Sequence, residues 1–138
     1  MENETLTGHI IGRSMFVHNT LGPGFVESVY QNALAHALRI GDFAVELGKR
    51  VQVHFDGIVV GDFAPDMLVE RTILVEIKAI RALAPVHETQ LVNYLTATGL
   101  DIGLLINFGA ERLEFKRKTR LYRAPQGDRI SNDRTNSA

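Results

Sequence analysis

Asp66, Glu76 and Lys78 are the residues whose types and spacing point most directly to chemistry. Glu76 and Lys78 sit two apart inside the apolar run at 73–80. In a strand they share one face, while Ile77 points to the other. Alone, the pattern reads equally well as a same-face ion pair on a half-exposed strand. Asp66 changes that reading. It follows Pro65 on the preceding apolar segment. A hairpin whose loop is centred on Arg71 sets Asp66 directly across from Glu76, with Cα atoms about 4.5–5.5 Å apart. Facing carboxylates at that distance destabilise a sheet, and a divalent cation held between them reverses the sign of the interaction. A two-residue turn at Glu70-Arg71 would instead pair Asp66 with Val75 and turn it to the wrong face. A metal site here therefore requires an odd loop or a bulge.

Other polar residues lie where apolar patterning is otherwise strong. With about 100° per helical residue, Val26, Val29, Tyr30, Ala33, Leu34, Ala37 and Leu38 fall on one arc, and Glu27 falls inside it. A carboxylate on a core-facing arc needs a partner; the alternative is a helix-start carboxylate favoured by the dipole and pointing outward. His87, Gln90 and Tyr94 are spaced i, i+3, i+7 and form a polar stripe suited to a phosphate or a water, or an ordinary solvated helix face. His9, His18, His36 and His54 form no ligand pair at helical spacing. The LGPG at 21–24 lacks the preceding strand and following lysine of a phosphate loop. No serine sits in a nucleophile elbow. A basic run (Arg112, Lys116, Arg117, Lys118, Arg120, Arg123) is either a nucleic-acid contact or a solvated edge strand protected against aggregation.

The elements that must carry these residues follow from periodicity. Helical spacing marks 6–21 and 25–40, separated by the LGPG breaker. Residues 44–55 alternate, Asp56-Gly57 signals a turn, and 58–69 and 72–80 read as further strands. A helix at 87–98 ends at Gly99; a buried strand follows at 102–108 and an edge strand at 111–122, with Leu113, Phe115 and Leu121 facing inward. The order α-α-β-β-β-α-β-β predicts an α/β fold: two N-terminal helices and a mixed central sheet with one parallel β-α-β crossover, antiparallel elsewhere. Residues 1–124 are expected to form one domain, and 125–138, polar and punctuated by Gly and Pro, a disordered tail.

Composition narrows the classes. The chain has 138 residues, 45% hydrophobic and 22% charged, the mix of a globular protein. The absence of cysteine excludes disulfides and thiolate metal sites. A formal net charge of -1 is not that of a protein that coats nucleic acid. The start, MENETLTGHI, does not read as a secretory signal, and no apolar run approaches a membrane span, so a soluble cytoplasmic protein is the expectation.

Several segments together resemble a known family. GFVESVY at 24–30 matches the motif of the GxxExxY proteins through Gly24, Glu27 and Tyr30. APDMLVE, VEIKAI, PVHETQLVNYL and GLLINFG resemble the rest of that family in order and spacing, from about Leu6 to Phe115. The family is grouped with the PD-(D/E)-x-K nucleases, and the corresponding pattern here is Pro65-Asp66 … Glu76-Ile77-Lys78. The resemblance implies a restriction-endonuclease-like core and hydrolysis of DNA or RNA phosphodiesters with Mg²⁺ or Mn²⁺. It also implies roles. Asp66 and Glu76 would hold the metal with the Ile77 backbone carbonyl, Glu27 closing the site directly or through water. Lys78 would orient the attacking water. Gln90 and Tyr94, with His87 beside them, would position the phosphate. Lys116, Arg117, Lys118 and Arg120 would contact the nucleic-acid backbone. A catalytically silent scaffold that binds nucleic acid or a protein is the alternative, and homo-oligomerisation is left open.

Overall fold

The structure, a computed structural model, describes residues 1–120. The expected tail at 125–138, with Leu121 and Arg123, lies outside the described residues. Two helices open the chain, α1 (Asn3–Leu21) and α2 (Glu27–Ile40). Leu6, Ile10 and Val17 form the buried stripe of α1, and Tyr30, Leu34, Ala37 and Leu38 that of α2. Between them Gly22 and Gly24 take φ of 72° and 116°, a conformation that excludes most side chains and turns the chain back. The buried arc of α2 starts later than its periodicity suggests: Val26 is the exposed N-cap, and Glu27 is exposed in the first turn. Angular position sorts the faces of a helix, but it does not reveal that the first turn runs past the edge of the core.

Seven strands follow among the described residues: β1 (Val45–Leu47), β2 (Val51–Phe55), β3 (Ile58–Phe63), β4 (Met67–Val69), β5 (Ile73–Lys78), β6 (Ile102–Asn107) and β7 (Glu114–Thr119). The segments 44–55 and 58–69, expected as single strands, each divide in two. Gly48, at φ 63°, breaks the first, and Pro65, without an N–H, breaks the second. The outer halves, β1 and β4, pair antiparallel in the main sheet. The inner halves, β2 and β3, form a separate two-stranded ribbon. Its turn is Asp56-Gly57, with φ of 53° and 77°, the positive pair that matches the twist of a hairpin.

The main sheet has the order β1-β4-β5-β6-β7. Only β5 and β6 are parallel, and the third helix, α3 (Pro85–Thr98), lies between them in sequence. Pro85 occupies the start of α3, His87 Nδ1 accepts the Ala84 N–H at 2.9 Å, and Gly99 at φ 77° ends the helix. This is the expected mixed architecture with one parallel crossover. The larger core joins Leu6, Ile10, Tyr30, Leu34 and Leu38 to Ile73, Val75, Ile77, Leu104 and Ile106. The smaller one, on the opposite face, joins Leu91 and Leu95 of α3 to Leu74 and Leu105. Phe115 was expected inward, but on the edge strand β7 it remains exposed, while Leu113 packs against the larger core.

Candidate active site

Register decides where the acidic residues meet. β4 and β5 pair as Met67↔Val75, Leu68↔Leu74 and Val69↔Ile73. The connection is therefore the three residues Glu70, Arg71 and Thr72, an odd loop centred on Arg71. Glu70 and Arg71 take φ of 54° and 55°, unusual for side chains of their size. Glu70 is held by exchange with Ala44, donating its N–H to the Ala44 carbonyl and accepting the Ala44 N–H on its carboxylate at 2.6 Å. Continued by one pair, this register sets Asp66 opposite Glu76, on the face of β5 that looks toward α3.

The two carboxylates are locked reciprocally. Glu76 Oε2 accepts the Asp66 N–H at 3.0 Å, and Asp66 Oδ2 accepts the Ile77 N–H at 2.7 Å. The second bond explains the proline. The Lys78 carbonyl accepts the Phe108 N–H, so the peptide groups of Lys78 and Glu76 point toward β6 and those of Ile77 toward β4. The residue that the register places across from Ile77 is Pro65, which has no N–H to donate. The Ile77 carbonyl therefore loses its ladder donor beside the two carboxylates. Asp66 Oδ1 and Glu76 Oε1 accept no hydrogen bond among the described residues.

Electrostatics mark the same place. Burial pushes the Glu76 carboxyl up to about 8, with the Asp66 and Glu27 charges adding to the shift. The Asp66 N–H and Lys78 pull the other way. Burial also raises Asp66, against the Ile77 N–H and Lys78. The Tyr94 phenol is raised by burial and then by the charges of Glu76 and Asp66. Asp66, Glu76, Lys78 and Tyr94 therefore share one field, at the carboxyl end of β5. Glu27 contributes from the first turn of α2 while remaining exposed. Among the described residues no group of three or more His, Cys, Asp and Glu side chains is close enough to hold a metal ion. The acidic pair with the Ile77 carbonyl is an all-oxygen donor set that suits a hard divalent cation. Glu27 stands outside that pair.

The polar stripe of α3 divides. Tyr94 faces the carboxylates and stacks on Phe63 of β3, with ring centroids 4.0 Å apart and 10° between planes. Gln90 is exposed, and His87 caps its own helix. The basic run divides as well. β7 pairs with β6 as Leu105↔Lys116, Leu104↔Arg117 and Gly103↔Lys118, so Lys116 and Lys118 lie on the Glu76 face and Arg117 on the other. Lys118 pairs with Glu88 at 3.0 Å and Arg120 with Asp101 at 2.8 Å. Arg112 is exposed.

Two bracing elements were not anticipated. Buried Asn107 exchanges hydrogen bonds with both the N–H and the carbonyl of Ile80, and its amide donates to Glu114 Oε1. Glu114 also accepts the Leu83 N–H at 3.1 Å, so the loop from β5 to α3 is tied to β6 and β7. A Cβ on Gly109 would collide with the Ala79–Ile80 backbone, so glycine is needed for this crossing. The signal for Asn107 was an amide in the otherwise apolar run at 102–108. Phe63 gave no signal, since its partner is on a distant helix.

Comparison with known families agrees with the fold. A family model described as PD-(D/E)XK nuclease superfamily matches residues 4–118. The chain belongs to that superfamily, and its three helices and mixed sheet are a restriction-endonuclease-like α/β core. No curated protein and no solved structure matches it.

Proposed function

We propose that this protein is a divalent-metal-dependent nuclease that hydrolyses phosphodiester bonds in DNA or RNA, of the GxxExxY branch of its superfamily. The observation that carries the reading is the pair of partly buried Asp66 and buried Glu76, with the Ile77 carbonyl, which has no ladder donor at Pro65, beside it and Lys78 on the strand face of Glu76. Asp66, Glu76 and the Ile77 carbonyl hold Mg²⁺ or Mn²⁺, and Glu27 reaches it through water. The bound ion supplies Lewis acidity at the phosphate and a lowered pKa for water. Lys78 orients the attacking water and stabilises the charge that accumulates on the phosphoryl oxygens. Tyr94 donates its phenolic proton toward the phosphate, and Gln90 steers the strand from the solvent side of α3. Lys116 is the best-placed cation for the backbone, since Lys118 and Arg120 are engaged in ion pairs. Those same ion pairs favour the second reading, a silent scaffold whose surface binds without cleaving.

The test couples cleavage to metal binding. Single- and double-stranded DNA and RNA are incubated with Mg²⁺ or Mn²⁺, and melting is followed with and without the ion. The nuclease reading expects cleavage that Glu76→Gln abolishes. It also expects stabilisation of about 2.7 kcal/mol at a hundredfold excess of ion over Kd. A melting curve unmoved by millimolar Mn²⁺, together with a Glu76→Gln variant that melts lower, assigns the pair a structural role and selects the scaffold.

A further inference from the structure

The β2–β3 ribbon stands apart from the main sheet and exposes Phe55, Ile58, Val59 and Val60 near its turn. A two-stranded ribbon is at best marginally stable alone, so contacts with the body must hold it. Its ion pair, Arg50–Asp62 at 2.6 Å, links the residue just before β2 to β3 and ties neither to the rest. β2 lies against α3, and the ring of Phe63, the last residue of β3, stacks on Tyr94. Asp66 comes three residues after Phe63. Pro65 fixes its own φ and biases Ala64 toward extended backbone, so the link between ring and carboxylate is short and stiff. Asp66 is thus restrained from two directions: by Glu76 and the Ile77 N–H on one side, and by Phe63 on the other.

We propose that Phe63 is a positioning residue, whose stack on Tyr94 clamps the 63–66 segment to α3 and so fixes the Asp66 carboxylate and the Tyr94 phenol relative to Glu76. In this role Phe63 acts through Asp66 and Tyr94: its stack joins Tyr94, whose phenol lies in the field of both carboxylates, to the short segment that leads to Asp66. The catalytic consequence rests on the nuclease reading. The structural coupling does not, and it is measured separately.

Backbone amide resonances of the metal-free protein report the coupling. Phe63→Leu keeps apolar bulk and removes the stack. It is expected to shift the Asp66 and Ile77 amides while leaving those of Leu34 and Ala35, in the opposite core, in place. Phe63→Trp keeps an aromatic face and is expected to preserve the wild-type positions. Tyr94→Leu approaches the clamp from α3 and should reproduce the same shifts, so it decides the matter if Phe63→Leu does not fold. The double variant should shift no further than either single one. In the Mn²⁺-loaded protein Phe63→Leu should lower kcat about tenfold or more with KM unchanged, the effect of a displaced reacting group. Asp66 and Ile77 amides that stay in place, additive shifts in the double variant, or equal behaviour of the Leu and Trp variants would overturn the proposal. A wild type that cleaves nothing sinks the nuclease reading alone, because the amide arm still decides the positioning role.

Discussion

β5 and β6 build both faces of the central sheet, and the two faces differ in kind. Toward α1 and α2 they present Ile73, Val75, Ile77, Ile102, Leu104 and Ile106, all buried and all apolar. Toward α3 the same strands present Leu74, Glu76, Lys78, Gly103, Leu105 and Asn107. One backbone thus carries a continuous apolar layer on one side and buried polar groups on the other. A buried carboxylate with no full counter-charge opposes folding. The apolar layer is what makes it tolerable, because burial of aliphatic side chains stabilises the strands independently of what faces α3. Sub-sites of this kind need a rigid base, and the Asn107–Glu114–Ile80 network and the close packing at Gly109 provide it at the strand ends.

Substitution on the two faces should therefore differ: costly on the apolar face, neutral or stabilising at the buried carboxyl. Leu104→Ala removes a fully buried side chain from the apolar layer and is expected to cost about 2–5 kcal/mol in urea denaturation. Glu76→Gln, on the neighbouring strand but the opposite face, keeps shape and removes a carboxyl whose ionisation is opposed by burial first and by the charges of Asp66 and Glu27 next. It should be neutral or stabilising without metal, and it should lose the metal response. If Glu76→Gln instead approached the cost of Leu104→Ala, the two faces would be equivalent and the pair structural.

pH should separate the faces by a smaller amount. The Glu76 carboxyl titrates at about 8 in the fold and near 4.5 when unfolded. Between those values the unfolded chain has released the proton and the folded chain keeps it. The contribution to stability is fully present below about 4.5 and is lost as pH rises through about 8. The slope from this group is at most about 1.4 kcal/mol per pH unit. Asp66, also raised, acts with the same sign from its lower starting value. Denaturation of wild type and Glu76→Gln across this range should show a slope that the variant largely loses and that Mn²⁺ reduces, since a bound cation favours the ionised pair. Parallel curves for the two proteins would place the Glu76 titration outside the folding equilibrium.

Legibility in the sequence followed the range of the interactions. The acidic hairpin could be framed because strand parity is local, but sequence left two turns open, and only the observed register selects the odd loop about Arg71. The parallel crossover could be read from a strand, a helix and a strand in succession. The division of 44–55 and 58–69 could not: strand-forming residues lie on both sides of each break, and only Gly48 and Pro65 hint that the chain changes sheet. Glu27 left two alternatives open, and its exposure in the first turn matches the outward helix-start one. Its angle on α2 is right for the core, but the core does not extend to the first turn. The stack of Phe63 on Tyr94 joins residues 31 positions apart, from 63 to 94, on elements whose packing no local pattern encodes.

The smallest expected effect compares the two faces of a single strand. Lys116 and Arg117 are consecutive, exposed and cationic on β7, yet the register with Leu105 and Leu104 turns them to opposite sides of the sheet. Lys116 shares the face of Glu76, across β6 from it, whereas Arg117 looks toward the α1 and α2 side. A nucleic-acid strand at the acidic pair would pass the first and not the second. Each phosphate contact releases counterions, so losing one lowers the slope of log affinity against log salt by about 0.7–0.9. Lys116→Ala should show that reduction in a salt titration of catalytically inactive Glu76→Gln protein with labelled single- and double-stranded probes. Arg117→Ala should leave the slope at its parent value. Equal reductions would mean that binding follows total charge rather than the face of the sheet, and a reduction for Arg117→Ala alone would move the nucleic acid to the helix side, away from Glu76.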